Sequence, residues 1–70
     1  MSEEIREAVV AAIDRLPEEM RLAMTLREFD GLSYEEIAEV MASPVGTVRS
    51  RIFRAREEID RRLAPLLDSQ

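Results

Sequence analysis

Apolar residues recur along the chain at intervals of three and four, the spacing of a helix with one buried face. In the first segment they are Ile5, Val9, Ala12, Ile13 and Leu16. Proline, glycine and capping residues divide this pattern into four helices, predicted over about residues 3–16, 18–29, 33–41 and 44–64. A tail is predicted over residues 65–70. The predicted fold class is all-α, with one compact four-helix domain over residues 1–70.

Capping signals mark where the helices begin and end. Ser2 can accept a hydrogen bond from a free backbone N–H of the first helix. Pro17 suits the first turn of the second helix, where its missing N–H is not needed. Gly31 supplies the left-handed residue that follows many helices. Ser33 and Glu36 have the spacing of a capping box, in which each side chain accepts from the other's backbone N–H, and this predicts the start of a third helix.

The third and fourth helices are predicted to form a helix-turn-helix. Pro44 disfavours helical geometry at Ser43, so the third helix must be short. Ser43 is predicted to cap, and Pro44 to begin, a fourth helix that Pro65 ends after Ala64. A short capped helix, a tight turn and a longer arginine-rich helix are together the plan of a helix-turn-helix.

The fourth helix is predicted to have two different faces. At about 100° per residue its aliphatic side chains fall in a stripe roughly 80° wide, which is the predicted core face. These side chains are Val45, Val48, Ile52, Ala55 and Ile59. The far side carries Gly46, Thr47, Ser50, Phe53 and Arg54, with Arg49 at its boundary. Packing on neighbouring helices does not explain an aromatic side chain among arginines on the outer face.

Charge is distributed unevenly along the chain, whose formal net charge is -5. Residues 43–56, SPVGTVRSRIFRAR, hold four arginines and no acid. Contact with DNA accounts for this stretch, because a helix N-terminus and Gly46 can admit a phosphate. Arg49 and Arg54 can each span guanine O6 and N7 or hold phosphates, and Ser50 can reach either; Phe53 can contact thymine methyls or sugar. An acidic body elsewhere would reduce non-specific DNA binding.

The alternative is a solvated charged face. Arg54 with Glu58, and Glu57 with Arg61, have the spacing of ion pairs along a helix. Such pairs would leave the arginines no role beyond surface charge.

Two residues outside the fourth helix are also candidates for DNA contact. Tyr34 can contact the DNA backbone or simply pack against its neighbours. Arg27 can hold a phosphate or pair with Asp30 or Glu28.

The composition excludes several other classes of protein. The chain has no cysteine and no histidine, which excludes disulfides, zinc sites built on thiolate or imidazole, and nucleophile–histidine catalysis. We therefore expect no catalytic residues, no metal and no cofactor. No apolar run approaches the roughly 18 residues of a membrane span, and no signal peptide is apparent, so a cytoplasmic protein without a membrane role is expected.

The stretch LPEEMRLAMTLREFDGLSYEEIAEVMASPVGTVRSRIFRAREEID closely resembles region 4 of bacterial sigma factors of the extracytoplasmic-function group, particularly the sigma-E type. The resemblance covers about residues 13–66, and its most specific parts are GLSYEEIAEVM and PVGTVRSRIFRARE. It implies a four-helix helix-turn-helix domain that recognises the -35 promoter element and docks on the beta flap of RNA polymerase. Nothing in the chain resembles region 2, which reads the -10 element, so the chain alone is not expected to initiate transcription.

The resemblance also implies roles for particular residues. Arg49, Ser50, Phe53 and Arg54 would face bases and sugars in the major groove of double-stranded promoter DNA. The DNA backbone would be met by Gly46, Thr47, Tyr34 and Arg27. An anti-sigma factor is an implied partner, and apolar positions left over from the core would contact it or the polymerase: Leu32, Met24, Leu66 and Leu67.

Two other functions remain open at this stage. One is a protein-interaction module bound by an anti-sigma factor, whose arginine helix does not contact DNA. The other is the output helix-turn-helix of a response regulator, which would dimerise on a palindromic site, whereas the sigma-type domain is expected to bind as a monomer.

Overall fold

The computed structural model describes residues 2–68, which fold into four α-helices. They are α1 (Glu3–Asp14), α2 (Glu18–Glu28), α3 (Tyr34–Met41) and α4 (Val45–Asp68). Over this range the chain contains no β-strand, so the predicted all-α fold with four helices is confirmed. The 24 residues of α4 account for most of the 39 Å long dimension of the molecule, since a helix rises about 1.5 Å per residue.

The predicted caps of the first and third helices are present. Ser2 Oγ accepts a hydrogen bond from the Ile5 N–H at 3.2 Å. Ser33 Oγ accepts from the Glu36 N–H at 3.1 Å, and Glu36 Oε1 accepts from the Ser33 N–H at 2.8 Å. The bond from the Ser33 N–H lowers the pKa of Glu36, because it stabilises the ionised carboxylate. The capping box therefore fixes the start of α3.

The first two helices end earlier than predicted, each for a local reason. Pro17 disfavours helical geometry at the residue before it, so α1 ends at Asp14. The second helix, α2, ends at Glu28, and the loop after it turns at Gly31, whose φ is +70°. A side chain would be strained at that φ, as expected for the glycine that follows a helix.

The turn between α3 and α4 differs from the prediction at Ser43. Helix α4 begins at Val45, and the Pro44 carbonyl accepts from the backbone N–H groups of residues 47 and 48. The Ser43 hydroxyl instead donates to the Met41 carbonyl at 3.0 Å and accepts from Arg51 at 3.2 Å. The prediction that Ser43 caps α4 is wrong, because its hydroxyl is used inside the turn. Ala42 takes the left-handed conformation, with φ 50°, although glycine is the usual residue there.

Helix α4 also continues past Pro65, which was predicted to end it. Proline removes one backbone donor and disfavours helix at the residue before it, but its own φ is helical. Helix α1 packs along α4, and Pro65 lines a shallow pocket together with Ala8, Ala11 and Ala12 of α1. The predicted tail is helical through Asp68; the rest of that tail, residues 69–70, lies outside the described residues.

The core consists of two groups of side chains that both use α4. One group joins α2, α3 and α4 through Ala23, Ile37, Val48 and Ile52. The other contains Leu16, Met24 and Ala55. In the described chain no charged or polar residue is buried. The predicted inner stripe of α4 is buried at Val48, Ile52 and Ala55, and this arrangement decides which residues α4 presents to solvent.

Candidate nucleic-acid interface

The outer face of α4 is open to solvent over its first three turns. Because the opposite stripe is buried, Phe53 projects outward and is 65% exposed. Arg49, Ser50 and Arg54 are exposed beside it. These four side chains line one shallow groove together with Glu57. An aromatic side chain is thus held in water between two arginines, at a site where burial gains nothing for folding.

A second shallow groove continues this surface toward the start of α4. Gly46 and Thr47 line it together with Ser50 and Arg54. A Cβ added at Gly46 would have no atom within 4 Å. The absence of a side chain at Gly46 is therefore not required by packing, and it leaves the backbone of the first turn open to an approaching group.

The arginines of α4 fall into two sets. Four of them form ion pairs: Arg51 with Glu19 at 3.0 Å, Arg56 with Glu28, and both Arg61 and Arg62 with Glu58. Within the described chain, Arg49 and Arg54 form none. The paired arginines hold helices or helix turns together, and the unpaired ones flank Phe53.

Over residues 2–68, the self-pairing of α4 is limited to its second half and does not involve Arg49 or Arg54. Glu58 accepts from Arg61 and Arg62 and not from Arg54, so the expected pairs Arg54–Glu58 and Glu57–Arg61 do not form. The hydrogen bond to Glu28 raises the pKa of Arg56. The charge of Arg56 is thereby compensated from α2, whereas that of Arg54 remains available to a ligand.

Arg27 and Tyr34 adjoin this surface through Arg49. The Arg27 guanidinium carbon lies 4.8 Å from the centroid of the Tyr34 ring, and that of Arg49 lies 5.4 Å from the same centroid. Arg27 also donates to the Leu32 carbonyl at 2.9 Å. The alternative ion pair of Arg27 with an acid of its own helix end is not formed. Tyr34 is half-buried and packs against the core, as one of its two expected roles required; its contact with the DNA backbone stays a prediction.

All eight sequence-predicted residues thus belong to one continuous surface at the N-terminal end of α4 and the adjoining ends of α2 and α3. Sequence reasoning missed Glu57, which lies in the groove with Phe53 and Arg54. Its spacing, four residues after Phe53 and three after Arg54, is the signal that would have placed it there.

The chemistry of this surface is that of binding. It offers guanidinium and hydroxyl donors, free N–H groups at a helix start and one exposed aromatic ring, which together suit phosphates and base edges. Residues 2–68 contain no cluster of metal-ligating side chains. None of the four described helices is both long and apolar enough to span a lipid bilayer.

Comparison with known proteins agrees with the helix-turn-helix architecture. The family described as Sigma-70, region 4 matches residues 6–59. The chain is 64% identical over 67 residues to the ECF RNA polymerase sigma-E factors of Escherichia coli (strain K12) and Salmonella typhi. It has the same identity over the same length to the RNA polymerase sigma-H factor of Pseudomonas aeruginosa.

Each of these alignments covers 96% of the chain and 35% of the relative. The chain therefore spans about a third of the length of the curated relatives it matches. Since the family match extends from α1 through α3 and the turn into α4, the chain belongs to the sigma-70 region 4 family.

Proposed function

We propose that the chain is the DNA-reading module of a sigma factor and recognises the -35 promoter element through α4. In this role it directs RNA polymerase to promoters as part of a longer protein, with no catalytic activity of its own. Membership of the region 4 family supports this function over the response-regulator alternative. The names of the relatives, which are RNA polymerase sigma factors, support it as well.

One observation carries the proposal: Phe53 is exposed between two arginines that form no ion pair within residues 2–68. Exposing a phenylalanine forgoes about 1.5–3 kcal/mol of burial free energy, and the exposure is consistent with a ligand that covers the ring. A DNA major groove does so, since it accepts an α-helix and offers thymine methyls to Phe53 and guanine acceptors to Arg54.

A protein partner would use a different surface. An apolar groove between α1, α2 and α4 is lined by Val9, Ile13 and Ile59, with Phe29 at its edge, 66% exposed. We assign this groove to protein docking, by the beta flap of RNA polymerase or by an anti-sigma factor. Both partners are expected of the sigma-factor role.

The leftover apolar positions named from the sequence fit this assignment only in part. Met24 is buried in the core, so it was wrongly expected to be exposed, although it also borders the groove. Leu32 and Leu66 are half-buried, and Leu67 is exposed. Phe29 was missed because the helix pattern placed it on a face next to the core.

The DNA-binding proposal is tested with a duplex that the wild-type chain selects from a randomised pool, and with a scrambled version of that duplex. Arg54→Ala is expected to weaken binding to the selected duplex by roughly 1–3 kcal/mol if Arg54 reads guanine. If Arg54 holds a phosphate, the variant loses affinity for both duplexes and the salt dependence becomes shallower. Fluorescence anisotropy over a salt series measures both quantities.

Arg62→Ala is the matched control, since it removes the same charge from the same helix at a residue paired with Glu58. It should leave the affinity ratio of the two duplexes unchanged. Equal, weak affinity of the wild-type chain for both duplexes would instead support the protein-interaction module.

A further inference from the structure

Tyr34 lies at a junction of three helices. It is the first residue of α3, while Arg27 stands in the last turn of α2 and Arg49 early in α4. Both guanidinium groups lie within about 6 Å of the ring centroid, the range of a cation–π interaction. A single aromatic ring therefore contacts two arginines that belong to two other helices.

The three side chains are not equally fixed. Tyr34 is half-buried against the core, and Arg27 is tied to the Leu32 carbonyl. Arg49 is exposed, and the Tyr34 ring is the only contact of its guanidinium that the described structure records. The orientation of Arg49 thus depends on Tyr34 more than the orientation of Arg27 does.

The charges of this cluster are unbalanced. Neither Arg27 nor Arg49 forms an ion pair in the described chain, whereas Arg56, which also interacts with Tyr34, is compensated by Glu28. Two neighbouring cations without a carboxylate favour an added anion. Holding an arginine in place before binding also reduces the rotamer entropy that binding would otherwise cost.

We propose that Tyr34 is a positioning residue, whose ring holds Arg49 beside Arg27 as a clamp for one phosphate of the DNA backbone. This inference rests on the proposed function, because the phosphate belongs to the duplex that α4 reads. The ring face provides the effect, and the phenol hydroxyl is not needed for it.

The test is a double-mutant cycle on the selected duplex. Tyr34→Leu and Arg49→Ala are each expected to weaken binding, the first by about three- to fivefold, the size of a cation–π contact. In the Arg49→Ala background, Tyr34→Leu should have little further effect. Tyr34→Phe keeps the ring and should bind within about twofold of wild type. Each of the single substitutions Tyr34→Leu and Arg49→Ala should also reduce the slope of affinity against salt by about one phosphate contact.

An NMR measurement of the Arg49 side chain tests its contact with Tyr34 independently of any loss of stability. In proton–nitrogen NMR spectra, ring current should shift the Arg49 Nε–H proton in the wild type and in Tyr34→Phe but not in Tyr34→Leu. Circular dichroism confirms that each variant is folded at the temperature of measurement.

The outcomes separate this inference from the proposed function. Equal losses from Tyr34→Leu with and without Arg49 would overturn the positioning role, as would a loss from Tyr34→Phe equal to that from Tyr34→Leu. If Arg54→Ala weakens binding and Arg49→Ala does not, the clamp is wrong and the promoter-reading role stands. If neither arginine matters, the proposed function itself fails.

Discussion

At the scale of single residues, the candidate interface includes one position without a side chain. Gly46 occupies the first turn of α4, where alanine would form a better helix, and no neighbour requires a glycine there. Stability therefore does not explain the residue. The proposed function accounts for it, because a DNA backbone would approach the helix start closely.

Gly46→Ala should thus separate stability from binding. We expect the free energy of unfolding to rise by about 0.5–1 kcal/mol, because alanine has less backbone entropy to lose. Affinity for the selected duplex should fall roughly tenfold, about 1.4 kcal/mol, because the new methyl group occupies the space of the DNA backbone. Urea unfolding followed by circular dichroism measures the first quantity and anisotropy the second.

The control is Ala11→Gly, the reverse substitution at an exposed position inside α1, which lies away from the interface. It should lower stability and leave the affinity of the folded chain unchanged. A Gly46→Ala variant that binds as well as wild type would show that the DNA backbone does not approach Gly46.

At the scale of the element, α4 changes character along its exposed face. The first three turns present Arg49, Phe53 and Arg54, whereas Glu57 and Asp60 follow one and two turns later. A carboxylate beside a phosphate is unfavourable. These two acidic residues therefore limit the part of α4 that a DNA duplex can contact, although the helix itself continues to Asp68.

Glu57→Gln should strengthen binding to both the selected and the scrambled duplex, by about two- to threefold at low salt, because it removes repulsion that does not depend on sequence. The gain should fade as salt is added. Anisotropy titrations at two salt concentrations measure it. Glu4→Gln is the control, because it removes the same charge far from the groove. Glu4 lies near the start of α1, about 16 Å along that helix from Arg15, and its substitution should change affinity less.

The opposite result for Glu57→Gln would be equally informative. Weaker binding to the selected duplex alone would mean that Glu57 accepts a hydrogen bond from a base, as carboxylates do from cytosine N4.

At the scale of the whole molecule, a small core supports the entire interface. Ile37, Val48 and Ile52 are the largest fully buried side chains, and they join α3 to α4. A domain of this size has only a few kcal/mol of net stability. The position of the exposed arginines of α4 therefore depends on a few buried aliphatic contacts.

Ile37→Ala should remove about 2–5 kcal/mol of stability, enough to unfold most of the chain at 25 °C, and DNA binding should be lost with it. Val40→Ala is the matched control, because it truncates an aliphatic side chain of the same helix that is 58% exposed. It should cost less than about 0.5 kcal/mol. Thermal and urea unfolding by circular dichroism measure both, and a folded Ile37→Ala chain would contradict this account of the core.

The number of helices and their starts were largely predictable because the signals are local. Ser2, Ser33 with Glu36, and Gly31 each act within a few residues of the chain, so a capping box or a left-handed glycine has the same effect wherever the helix later packs. The spacing of aliphatic residues in α4 likewise placed Phe53 and Arg54 on the outer face. Their function in DNA binding stays a prediction.

The failures were of a different kind. Pro65 does not end α4, Ser43 does not cap it, and Arg54 does not pair with Glu58. In each case a contact that periodicity and capping rules do not specify decides: α1 packs along α4, Arg51 donates to Ser43, and Glu58 pairs with Arg61 and Arg62. The partners of Arg27 were mispredicted for the same reason.

The sequence by itself determined the helices, the buried stripe of α4 and the family, because periodicity, capping and motif are properties of neighbouring residues. Arg61 and Arg62 pair with Glu58 at local helix spacing, but only the tertiary structure decided which arginines pair between helices. Arg56 finds its partner Glu28 on α2, and Tyr34 contacts Arg27 and Arg49 from separate helices. The physical reason is that an ion pair or a cation–π contact depends on distance in space, and packing alone sets that distance between helices.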